Sequence, residues 1–151
     1  MRYFAKGFLI GTLCICLLGL VWLFAFQPRL TAAEAQDLKA QFTTIPEGDL
    51  SGDGPAGKEE PQLDLEALQA KYPDVKGWLT IPGTVVDYPV LQSSAEDPEK
   101  YLRRNYDMKW RMAGSLFFQY DCTPDTPNFV IFGHNLTDGS MFAVLKKMAD
   151  P

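Results

Sequence analysis

Histidine is almost absent from this chain: His134 is the single one among 151 residues. Cysteine is scarce too. There are three, and two of them, Cys14 and Cys16, lie inside a long apolar run. Cys122 stands alone beyond that run, so the fold is not a disulfide scaffold. No Cys/His cluster carries zinc spacing. Asp121 and Asp138 lack the repeated oxygen ligands of a calcium loop. Neither a metal nor a cofactor is expected. Clusters of lysine and arginine are missing as well. With Arg2 and Lys6 set aside, 12 basic residues face 19 acidic ones, a net of −7. A surface that tracks phosphates needs the opposite balance, so nucleic acid is not an expected partner. No internal repeat is visible.

What is present begins with length without charge. Gly7 to Phe26 reads GFLIGTLCICLLGLVWLFAF, twenty uncharged residues behind Arg2 and Lys6. At about 1.5 Å per helical residue such a run spans roughly 30 Å, the thickness of a bilayer core. A cleaved signal peptide is one reading, and Ala33-Glu34-Ala35 resembles a cleavage site. A signal core is usually about 7–15 residues, so the length favours an uncleaved signal anchor. The expectation is a single N-terminal transmembrane helix, with the membrane held through residues 7–26. The basic flank would stay inside and the remainder outside the cell.

Composition divides the chain into three zones. Residues 1–26 are the cytoplasmic tip and anchor. Residues 27–61 read as a stalk or linker. Its first part, TAAEAQDLKAQF, is built of good helix formers. Its second part, IPEGDLSGDGPAGKEEP, has too little apolar surface to fold. Residues 62–151 form the globular zone, about 90 residues and a small core. LDLEALQAKY predicts a short helix ended by Pro73. GWLTIPG and TVVDYPVLQ predict strands around a Pro82-Gly83 turn, with Pro89 at an edge or bulge. AGSLFFQY and PNFVIFG follow as strands. SMFAVLKKMAD predicts a helix capped by Ser140, with Met141, Val144, Leu145 and Met148 on one face. The fold class is mainly β with flanking helices. The chain stops after that helix, at Asp150-Pro151, where more strands are expected, which points to an incomplete sequence.

Two readings of His134 stand side by side. It is a satisfied loop histidine, or it is an acid–base group carried on the end of a strand. Imidazole suits the second role, because this side-chain type exchanges its proton near neutrality. Gly133 lets another backbone or a substrate approach, and Asn135 to Gly139 is rich in turn formers. A nucleophile is harder to find. Cys122 sits in YDCTPDTP, where negative neighbours disfavour a thiolate. Ser115 and Ser140 have no G-x-S-x-G context. Asn135-Leu136-Thr137 is also a glycosylation sequon, a pattern short enough to arise by chance.

Four segments together resemble a sortase, most closely class B: YPDVKGWLTIPGTVVDYPVLQ (72–92), YLRRNYD (101–107), AGSLFFQY (113–120) and FGHNLTDGSMFAVLKK (132–147). The order and spacing of the segments carry the resemblance over residues 62–151. It implies a membrane-anchored bacterial cysteine transpeptidase with a closed β-barrel. Such an enzyme cuts a C-terminal sorting signal on a secreted protein and holds the acyl group as a thioester. An amine on a peptidoglycan precursor or a pilin subunit then takes that group. The resemblance places the catalytic histidine at His134 and a groove-lining, substrate-binding residue at Leu102. The family's nucleophilic cysteine follows a Thr-x-Thr/Ser-Cys segment on a later strand, and its arginine comes later still. No residue here matches either. The expectation is therefore a partial domain, an incomplete sortase-like β-barrel, inactive as given. The alternative is a catalytically dead, membrane-tethered extracellular binding module.

Overall fold

The computed structural model describes residues 2–44 and 61–149. The part of the expected linker between residues 45 and 60 lies outside the described residues. The element order is helix α1 (Arg2–Val21), a π-helical turn (Trp22–Phe26), helix α2 (Gln27–Gln41), strands β1 (Thr43–Thr44) and β2 (Gln62–Leu63), and helix α3 (Leu65–Lys71). Strands β3 (Val75–Thr80), β4 (Asp87–Gln92), β5 (Leu116–Phe118) and β6 (Ile131–Phe132) come next. A 3-10 turn (Phe142–Val144) leads into helix α4 (Leu145–Ala149).

The expected transmembrane helix over residues 7–26 is corrected by this order. Among the described residues, no helix is long and apolar enough to cross a membrane. The uncharged run is not α-helical throughout. α1 spends its first residues, through Lys6, before the run begins and stops at Val21, where the π-helical turn takes over. Gly7 to Val21 would rise about 22 Å as α-helix, short of the roughly 30 Å of a bilayer core. Counting uncharged residues registers the length of the run but not this break.

The label "mainly β" is also too strong. Helix covers more of the described residues than strand does, because the strands are only two to six residues long. Four of them make one open sheet in the order β3-β4-β5-β6. β3 and β4 are antiparallel, with a bulge between Val75 and Gly77. β4 and β5 are parallel, and β5 and β6 antiparallel. Pro89 is on an inner strand, not an edge. It lies one residue before the β4–β5 ladder, which begins at Val90 opposite Leu116. β4 has no partner on that side at Pro89, so the missing N–H costs no ladder bond there.

Period-two alternation puts a core on each face of the sheet. Tyr88, Val90, Leu116 and Phe118 face one cluster, with Met141 and Cys122. Leu91 and Phe117 face the other, with Leu68, Val75 and Tyr101. Residues 27–41, placed in the stalk by composition, pack on this sheet as α2. Gln27, Thr31, Ala35 and Leu38 are buried along one stripe at helical spacing. Ala35 joins the first cluster and Leu38 the second. α3 is capped by Asp64, whose carboxylate accepts from the Ala67 N–H at 2.9 Å. Ser140 does not cap the last helix. Its hydroxyl donates to Asp138 at 2.7 Å, and the 3-10 turn starts after Met141 at φ 54°. The expected helical face divides accordingly: Met141 is buried, while Leu145 and Met148 are exposed.

Candidate active site

His134 comes two residues after β6, directly behind Gly133. β6 is brought there by pairing with β5, Phe117 opposite Phe132 and Phe118 opposite Ile131. The backbone of His134 is pinned on its far side, since its carbonyl accepts from the Phe142 N–H at 2.9 Å. Gly133 is required by packing. A Cβ there would lie 2.4 Å from Leu116 Cδ2 and 2.7 Å from Phe142 Cδ2. With any other residue there, Leu116 and Phe142 would have to shift.

The half-buried imidazole reaches across to the 101–107 segment. Its Nε2 lies 2.9 Å from the carbonyl oxygen of Leu102. The Leu102 side chain lines an open cleft of about 330 Å³, walled also by Phe117, Tyr120, Phe132 and Gly133. Glu99 is the charged residue on its rim. The size falls in the range of small-ligand sites, and the wall is apolar with few polar groups. Phe117 and Phe132 stack tilted, ring centroids 5.5 Å apart, across the β5–β6 pair. The structure therefore brings together the two site residues expected from the sequence, His134 and Leu102. It joins them through a backbone carbonyl, and the cleft is lined by Leu102 and by Gly133, the residue before His134.

Cys122 is placed elsewhere. It is buried in the β5–β6 connection, with Sγ 3.4 Å from the Gln119 carbonyl and 3.7 Å from that of Val130. The Val130 N–H in turn donates to Sγ at 3.4 Å. These contacts close the loop that delivers β6. Asp138 serves its own turn, accepting from the Ser140 N–H at 3.0 Å. Among the described residues, no three of His, Cys, Asp and Glu converge as metal ligands.

The cleft walls were only partly legible. Phe117 could have been found from alternation in AGSLFFQY, which sends it to the face opposite Leu116 and Phe118. Glu99 and Tyr120 come from connections, and no periodicity reports on them.

The segment around Leu102 has its own polar support. The Asp74 carboxylate accepts from Lys100 Nζ at 2.6 Å and from the Tyr101 hydroxyl. Burial raises the Asp74 carboxyl, but these two hydrogen bonds outweigh it and hold the carboxyl below its ordinary value. Burial also pushes the Tyr101 phenol up, and the Asp74 charge adds to that.

Comparison with known proteins agrees with the four-segment resemblance. No family model matches the sequence. Sortase B of Listeria monocytogenes is 46% identical over 89 residues, covering 58% of this chain and 35% of its own length. Sortase B of Staphylococcus aureus is 31% identical over 91 residues, covering 59% of this chain and 36% of its own. Among solved structures, a Bacillus anthracis sortase B superposes with a TM-score of 0.63 at 31% identity, over 85% of this chain and 56% of that one. A Clostridium perfringens sortase B gives 0.52 at 30% identity, over 57% and 40%. The chain thus spans about a third of the length of these curated relatives and about half of the solved chains. Over the matched residues the sheet and its helices have the sortase-like fold, and the likeness is to part of a class B sortase.

Proposed function

We propose that this chain carries the acid–base part of a sortase-type transpeptidase site, with His134 as its proton-transfer group. The substrate is a secreted protein bearing a C-terminal sorting signal, met on the outer side of the cell. The acceptor is an amine of peptidoglycan precursor or pilin type. The observation that carries the reading is the position of His134 at a strand end, beside an apolar cleft lined by Leu102. It also belongs to one of the four segments that carry the sortase resemblance, and a sortase B relative is 46% identical to this chain over 89 residues.

The roles follow from the chemistry of acyl transfer. A thiolate attacks the scissile carbonyl, and the departing amide nitrogen must gain a proton. His134 in its protonated form supplies it. The incoming amine must later lose a proton, which the neutral ring accepts. No residue of this sequence matches the family's thiol, so in this reading the thiol comes from the part of a sortase that the chain does not match.

The test extends the chain with the C-terminal part of the Listeria relative and follows cleavage of a quenched sorting-signal peptide. His134→Ala is expected to lower turnover by at least about 100-fold, the usual size of a lost acid–base group. Cleavage at the parent rate would overturn the assignment. A second reading, a binding module without chemistry, draws on the burial of Cys122 away from such a role. It predicts that the extended chain binds the peptide in the cleft and never cuts it.

A further inference from the structure

We infer that the Leu102 carbonyl positions the His134 ring, and that Gly114 is the residue that allows it to do so. The inference rests on the reading of His134 as the proton-transfer group, and names how that group is set.

A carbonyl oxygen only accepts. At 2.9 Å from it, Nε2 must carry the hydrogen, which leaves Nδ1 as the nitrogen free to give and take a proton. Among the described residues, no backbone N–H takes the Leu102 carbonyl, so the imidazole has it to itself. The carbonyl is also held still. The Tyr101 carbonyl accepts from the Ser115 N–H at 3.0 Å, and the Arg104 carbonyl accepts from the Ser115 hydroxyl at 3.0 Å. The Leu102 N–H donates to Glu99 at 2.9 Å. These bonds need residues 101–104 and 114–115 in backbone contact, and Gly114 makes that contact possible. It sits at φ +57°, where a side chain is strained. A Cβ on it would fall 2.3 Å from the Leu102 oxygen and 2.5 Å from the Tyr101 oxygen. Both neighbours are backbone and cannot swing aside as a side chain tip could. Any side chain at position 114 must therefore move the carbonyl that holds His134.

The chain has one histidine, so its ring can be read without assignment. The experiment labels histidine with nitrogen-15 in the full chain and records long-range proton–nitrogen correlations at a pH where the ring is neutral. The expected wild-type spectrum has one tautomer, protonated at Nε2, with an Nε2–H slow to exchange with water. Gly114→Ala is expected to average the two nitrogens and speed that exchange at least tenfold. Gly77→Ala, where a Cβ meets nothing within 4 Å, is expected to keep the wild-type pattern. If Gly114→Ala fails to fold, Ser115→Ala takes its place, since it frees the Arg104 carbonyl without a clash and should speed exchange in the same direction. A wild-type ring protonated at Nδ1 or averaged between tautomers overturns the inference. So does a folded Gly114→Ala, or in its place Ser115→Ala, with the wild-type pattern. None of these outcomes depends on turnover, so this inference and the catalytic reading fail separately.

Discussion

Lys39 Nζ lies 2.7 Å from Oδ1 of Asp87, tying α2 to the start of β4. The same carboxylate accepts from Gln36 at 3.0 Å, from the Trp78 indole at 2.7 Å and from the Thr80 hydroxyl at 2.8 Å. One acid thus serves a helix and two strands. A second tie lies nearer the N-terminus of the helix, where Glu34 accepts from Arg111 and from Asn105 Nδ2 at 2.9 Å. Between the two ties the helix buries Ala35 and Leu38.

Removing the first hub should therefore loosen α2 and the β3–β4 pair together. Asp87→Ala leaves Trp78, Thr80 and Lys39 without their shared acceptor, and is expected to cost about 1–3 kcal/mol. Denaturant unfolding followed by Trp fluorescence measures it. A loss below about 0.5 kcal/mol, the size of an ordinary surface change, would show that the helix is held without this hub.

Acid should act through the same residue. Burial raises the Asp87 carboxyl, but the bonds from Lys39, Gln36, Trp78 and Thr80 overcome this and hold it well below the ordinary carboxylate range. Asp74 is lowered in the same way by Lys100 and Tyr101. A carboxyl with a lower value folded than unfolded binds fewer protons in the native state. Its stabilisation is complete above the unfolded value, near pH 4, and is lost as the pH falls from there through the folded value. Denaturation midpoints should hold steady from neutral pH down to about 5 and then fall. The fall should be smaller in Asp87→Ala. An equal fall in both proteins would move the acid sensitivity elsewhere.

Gly133 offers a packing test beside the cleft. The Cβ of Gly133→Ala meets the side chains of Leu116 and Phe142, which can give way, rather than backbone. The expected cost is that of overpacking, about 1–3 kcal/mol. The β6 end should shift with it, so the His134 ring signals should move. A stable variant with unmoved signals would mean that the close approach is not needed to place the histidine.

The sequence and the structure part company where chemistry and packing use different alphabets. The strands were legible because period-two alternation and turn residues report directly on backbone geometry, and the short helix before Pro73 because helical spacing does. The docking of α2 was not. Its buried stripe is Gln27, Thr31, Ala35 and Leu38, with one large apolar residue, so it reads as a solvated helix. Its attachment lies in ion pairs with residues 48 and 77 positions away, which no local window contains. The apolar N-terminal run misled in the other direction, since hydropathy counts residues and does not see where an α-helix becomes a π-helical turn. At the site, the resemblance implied that Leu102 lines a substrate groove. The contact with His134 is made by its backbone, a group that every residue has and no pattern marks.

The backbone at Leu102 is fixed from its other side by Tyr101, the preceding residue. Tyr101 is fully buried, packs at 6.5 Å between ring centroids from Phe117, and donates its hydroxyl to Asp74. Tyr101→Phe keeps the ring and removes only that bond, so Asp74 retains Lys100. The expected loss of stability is about 1 kcal/mol, the net value of one hydrogen bond, with a somewhat larger figure because the acceptor is charged. An alkaline titration supplies an independent readout. Burial, and then the Asp74 charge, push the Tyr101 phenol well above the ordinary tyrosine range, while burial with Glu34 nearby pushes Tyr106 up to about 12. Burial raises the Tyr88 phenol as well. Wild-type protein should therefore hold back three phenols beyond the ordinary tyrosine value, and Tyr101→Phe should hold back two. If wild type ionises one phenol more at the ordinary value than Tyr101→Phe does, Tyr101 is not anchored on Asp74. The support of the Leu102 carbonyl would then rest on Gly114 and Ser115 alone.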